Sequence, residues 1–150
     1  MKDLASKLAF AQLFGPAALA ADQAAVIIDL QGYNSAVLAL SVGVGGVTFD
    51  GANYIEFTLE HSDDNAAWSN VAATDLNGKD APSGIVAGQN GAAVLKALKT
   101  LAAAPAVYEV GYIGGKRFLR ADIEFTGAHA NPTPVSWTAV RSNAMVQPAA

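Results

Sequence analysis

From Gln23 onward the apolar residues fall on alternate positions, the period of a strand with one face on a core. Ile55, Phe57 and Leu59 alternate with Glu56, Thr58 and Glu60, which predicts a strand over 53–61. Leu119, Ala121, Ile123 and Phe125 alternate with Arg120, Asp122 and Glu124, which predicts a second half-buried antiparallel strand over 117–126. Stretches 25–30, 36–42, 68–73, 106–112 and 135–141 carry β-branched or aromatic residues bounded by turn formers and read as further strands. The breakers lie at Gly32, 43–46, 62–65, Asn77-Gly78, Gly114-Gly115 and Asn131-Pro132. Several short strands at this spacing, without helices of βαβ length between them, imply an all-β protein: an antiparallel β-sandwich or a jelly-roll-like barrel. Stretch 92–104 reads either way, as a helical turn or two with Lys96 and Lys99 opposite the leucines, or as a strand followed by a loop.

The first 22 residues differ. Lys2 and Lys7 precede an apolar run that ends in Ala18-Leu19-Ala20, a resemblance to a secretory leader, but Gly15-Pro16 interrupts the run. It is also shorter than the ~20 residues that span a bilayer, so no membrane anchor is expected. We therefore expect an N-terminal arm over 1–22, extended or short-helical, with Leu4, Leu8, Ala11 and Leu13 as one apolar stripe stopped at Gly15-Pro16. Exposed, Phe10, Leu13 and Phe14 would be costly, so the arm should pack on its own domain or on a neighbouring subunit. A single β-domain over 23–145 follows, then a tail over 146–150. The Gly/Asn-rich region 77–91 is the expected long surface loop.

Composition narrows the chemistry. Nine Lys and Arg against thirteen Asp and Glu give a net charge of −4, so nothing draws the chain to phosphate backbones and nucleic acid is not an expected partner. With no cysteine, disulfides, thiolate metal sites and cysteine nucleophiles are excluded. Ser62, Asp63, Asp64 and Asn65 after His61 have oxygens for a cation, but the spacing of a calcium loop is missing and a hairpin turn explains them; no metal or other cofactor is expected. The acid pairs Glu56 with Glu60 and Asp122 with Glu124 lie on the polar phase of their strands and are expected to face solvent, which sets a glycosidase reading aside. Gly111 to Arg117 lacks the Gly-Lys-Ser/Thr ending of a phosphate loop. Lys116, Arg117 and Arg120 form the densest positive patch, able to grip an acidic neighbour. No nucleophile stands beside a base, so no catalytic residue is nominated and an enzyme is not expected.

Asp29-Leu30-Gln31-Gly32-Tyr33, Ser41-Val42-Gly43, Ile55-Glu56-Phe57 leading to Ser62-Asp63-Asp64-Asn65, and Tyr108 to Phe118 with its Gly-Tyr-x-Gly-Gly-Lys-Arg-Phe core form a series in order along the chain. Together with Gly127-Ala128-His129 and Thr133-Pro134, it resembles a family of small virion proteins of tailed phages and prophage-type particles, over roughly residues 22 to 145. The resemblance implies a capsid decoration or cement protein on the outer surface of the icosahedral head. Its implied partners are the major capsid protein and copies of itself, as a trimer or another symmetric oligomer. The residues expected to make those contacts are Leu4, Leu8, Phe10, Leu13 and Phe14 of the arm, with Lys116 and Arg117. The alternatives are a head-spike base, a tail or connector component, or a carbohydrate-binding module at the host surface that would stack sugars on Trp68, Tyr33 and Tyr112.

Overall fold

Ten strands carry the alternation in a computed structural model that describes residues 7–45, 49–100 and 104–144. They are β1 (Ala9–Leu19), β2 (Gln23–Asp29), β3 (Tyr33–Val42), β4 (Tyr54–Ser62), β5 (Ser69–Asn70), β6 (Leu76–Asn77), β7 (Ala93–Leu98), β8 (Ala106–Tyr112), β9 (Phe118–Thr126) and β10 (Thr133–Ala144). Sheet A runs β1-β10-β3-β8-β6; sheet B runs β2-β9-β4-β5, with β7 also paired to β4. All pairings are antiparallel. The long strands thus stack as β1-β10-β3-β8 over β2-β9-β4-β7, the order of two interlocked Greek keys, so the sandwich is a jelly roll.

The arm takes the extended form of the two expected. Residues 9–19 form no helix; they are the edge strand of sheet A, paired to β10 from Ala9↔Arg141 to Leu19↔Thr133. The reason is burial. A helix stopped at Gly15-Pro16 would be too short to stand alone, whereas the strand places Leu13 and Phe14 inside the sandwich. Pro16 is tolerated because it falls on an edge strand, in the irregularity between Phe14 and Ala17. Leu4 and the tail 146–150 lie outside the described residues. Stretch 92–104 takes the strand alternative as β7, with 101–103 outside the description, and stretch 68–73 shrinks to the two residues of β5 before a 3-10 turn at Ala73–Asp75.

Trp137 of β10 sits at the centre of the core, stacked on Phe14 of β1 at 6.1 Å and edge-on to Phe57 of β4 at 5.7 Å, so three strands from both sheets share one aromatic cluster. Leu38, Leu40, Ile55, Leu59, Leu119 and Ile123 complete it. Strand β4 is buried across all of 55–59. Its apolar residues meet the core, while Glu56 and Thr58 lie beneath the segment leading into β7. Gly88 makes that close approach: a Cβ there would stand 3.0 Å from Glu56 Oε2 and 3.2 Å from Thr58 Cγ2.

Candidate functional site

Three of the turns meet at one end of the sandwich. The β2–β3 turn, the 62–65 turn after β4 and the 113–117 turn between β8 and β9 line a cleft of about 390 Å³, with Tyr33, Asn34, Asp63 and Lys116 among its walls. Gly32 and Asn65 adopt positive φ, 87° and 60°, and make the tight turns possible. Gly114 is required for a different reason: a Cβ there would come 2.5 Å from the Tyr112 hydroxyl, so only glycine lets the chain fold back over that ring.

A buried polar network supports this end. Lys116 N–H donates to Tyr112 Oη at 3.2 Å, and the same hydroxyl shares a hydrogen bond with His61 Nδ1 at 3.0 Å. Asp75 Oδ2 lies 3.9 Å from the same ring nitrogen and accepts from Ala72 N–H. Burial lowers the His61 pKa against the opposing pull of Asp75, and burial pushes Tyr112 up to about 12. At neutral pH both are therefore uncharged members of a fixed frame beneath the 113–117 turn.

The positive patch is neutralised within the chain. Arg117 grips Asp29 with Nε and Nη2, at 2.9 and 2.6 Å, and also donates to Gln31 Oε1. The Arg117 fork holds the Asp29 carboxyl below its ordinary range, helped by Gln31 N–H and Arg141. Lys116 pairs with Asp63, and Arg120 pairs with Glu60 while lying over the Trp68 ring. The acidic neighbour that these cations can grip is thus supplied by this chain.

The carboxylates of sheet B correct the expectation that they face water. Glu56 is only 6% exposed and accepts from Gln89 N–H, while Asn90 Nδ2 reaches Thr58 Oγ1 and Glu124 Oε1. Burial raises the Asp122 pKa; burial, then Asp122 and Asp22, raise that of Glu124. These acids are clamped under a loop. Among the described residues no group of three or more His, Asp or Glu is placed to hold a metal ion.

Sheet A presents the opposite surface. Leu38, Leu40, Trp137, Ala139, Val110 and Tyr112 point inward, so the intervening residues form its outer face. Its rows read Phe10–Val140–Val37–Gly111, Gln12–Thr138–Ala39–Glu109 and Ser136–Ser41–Val107. Glu109, at the β8 side, is the single charge in these rows. Phe10 is 70% exposed and Val107 59%.

The nominated contact residues therefore separate. Leu13 and Phe14 are core residues and are not available to a partner; Leu8 is half-buried and Phe10 is exposed. Lys116 and Arg117 sit at the cleft, already paired. Tyr112, nominated for sugar stacking, is fully buried. Sequence reasoning missed the His61–Tyr112–Asp75 frame and the charge-poor sheet face. The signal for the face was present in the polar phases of β3 and β10, which hold Ser, Thr, Ala and Val instead of charges.

No family model matches the chain, and no curated protein matches it. Among solved structures, one similar chain comes from the Bacillus endospore appendages, described as a novel family of disulfide-linked pili. It is 14% identical, with 95% of this chain and 96% of that chain covered, at a TM-score of 0.38. At that score no role follows for the present chain.

Proposed function

We propose that this chain is a capsid decoration protein of a tailed-phage or prophage-type particle, laid on the outer surface of the head with the outer face of sheet A against the major capsid protein. The observation that carries the reading is the segregation of charge: most ion pairs and the clamped acids occupy sheet B and the loop end, while the outer face of sheet A carries charge only at its β8 margin, at Glu109 and the Lys79–Asp80 pair. Depletion of charge is what marks the core of a protein interface. The resemblance of residues 22–145 to small virion proteins supports the location. The mechanism is mass action: a ligand that binds only the assembled shell stabilises it, and many symmetric copies turn a modest contact into firm retention. The sugar-binding alternative is less supported, because Tyr112 is buried and Arg120 and Arg141 lie over the rings of Trp68 and Tyr33.

Gel densitometry of purified particles tests the reading, with on the order of hundreds of copies expected for shell decoration and a few dozen or fewer for a spike base or tail ring. Val107→Lys with Ser136→Lys should abolish retention on heads while leaving the melting temperature unchanged. A low copy number, or full retention of the doubly charged variant, defeats the proposal.

A further inference from the structure

A jelly roll has open sheet edges, and each presents unpaired backbone N–H and C=O groups that invite another strand. In this chain three of the edges are guarded. The β8 edge is covered where Asp80 accepts from Glu109 N–H and donates its own N–H to Glu109 O. The β7 edge is covered by the preceding segment, through Val94 N–H to Val86 O and Gly88 N–H to Ala92 O. Strand β2 has Asp22 before it and Asp29 at its end, and an irregular register between Gln23 and Val26. Strand β1 is different. Its eleven residues include no charge. Bulges and Pro16 disturb only its second half, and Ala9 to Gln12 run in regular register against β10. Phe10, the most exposed large apolar residue among those described, stands at this edge on the outer face.

We infer that the Ala9–Gln12 edge pairs with the same edge of a second copy, antiparallel about a two-fold axis, joining two copies of sheet A into one ten-stranded sheet. A second copy fits for three reasons. A two-fold interface must be self-complementary, and an uncharged strand meets itself without like charges opposed. Side chains alternate faces, so pairing that keeps outer face with outer face needs an even sum of paired residue numbers. Sums of 20 and 22 satisfy this and set Phe10 against Phe10 or against Gln12 of the partner. Lys7, the nearest described charge, then meets only the uncharged residues 13 or 15. The product doubles the charge-poor face, so the interface and the docking surface are continuous. Self-association through β1 does not depend on what that face docks against.

The four-residue edge buries less than the ~1,200 Å² of a standard interface, so association is expected only from about 100 µM upward. Sedimentation equilibrium of the full chain should show dimers in that range, with Phe10→Lys and Gln12→Lys each raising the dissociation constant at least ~10-fold. Both side chains are exposed, and unchanged melting temperatures will confirm that the variants fold. Because the chain has no cysteine, Gln12→Cys carries a single spin label, and edge pairing places the two labels within ~20 Å of each other. A chain that stays monomeric at ~1 mM overturns the inference. So does a dimer that ignores both lysines or holds the labels beyond ~30 Å.

Discussion

Replacing Tyr112 by phenylalanine removes one oxygen from a buried polar network and nothing else. The ring keeps its place in the core, where Tyr112 is 0% exposed, but Lys116 N–H and His61 Nδ1 lose their shared partner. A buried group left without a partner costs about 1–3 kcal/mol; the Lys116 amide, nearer the surface, recovers part of its loss in water, so the sum is about 2 kcal/mol. For a chain of this length that is a fall in Tm of roughly 4–8 °C, readable by calorimetry, with an equal loss in urea unfolding. The same oxygen predicts a pH signature. Its folded pKa of about 12 lies above the ordinary 10.0, so between those values the folded state holds more protons than the unfolded one, and stability falls as pH rises through the window. In Tyr112→Phe that alkaline slope should be shallower than in the native chain, and exchange of the Lys116 amide should quicken. A variant that melts within ~1 °C of native and keeps the full alkaline slope would refute the network's role.

Two further outcomes follow from the clamped acids and the glycine turn. Asp122→Asn should stabilise the fold near neutral pH, since burial raises the Asp122 pKa and the charged form is the disfavoured one; the gain should vanish as pH falls below the ordinary carboxylate range, and a melting curve series over pH reads it. The variant keeps the Oδ1 that accepts from Ile123 N–H. Gly114→Ala should cost about 1–3 kcal/mol by driving the 113–117 turn off the Tyr112 ring, whereas Gly115→Ala, with open space around its Cβ position, should be tolerated; equal melting temperatures for the two would contradict the crowding.

Much of the fold was legible because period-two alternation reports directly which residues face a core. Strands β8 and β9 lie where their patterns place them, to within a residue. What alternation cannot report is what lies on the other face. Glu56 and Thr58 keep the polar phase of β4 and are still buried, because the covering loop comes from 33 and 32 residues further along. The first strand could not be told from a short helix because Leu13 and Phe14 are adjacent and both buried across an irregularity, which breaks strand and helix periods alike. The charged patch was overvalued for a similar reason. Lys116, Arg117 and Arg120 are neighbours in sequence, but the acids that neutralise them stand 53, 88 and 60 residues away, so only the folded chain shows them satisfied. The candidate docking face was legible only in part, as the absence of charge gains meaning once the strands are placed side by side.

The pairing of β1 with β10 has a consequence for how this molecule comes to exist. Ala9 meets Arg141 and Phe14 meets Trp137, so β1 has no companion until β10 has been made. For that interval Phe14 is bare, and the growing chain is sticky in proportion to the time it waits. Slowing elongation should therefore lower the yield of native protein, and a nascent-chain holdase would raise it. In this sense β10 is the latch that closes the sandwich.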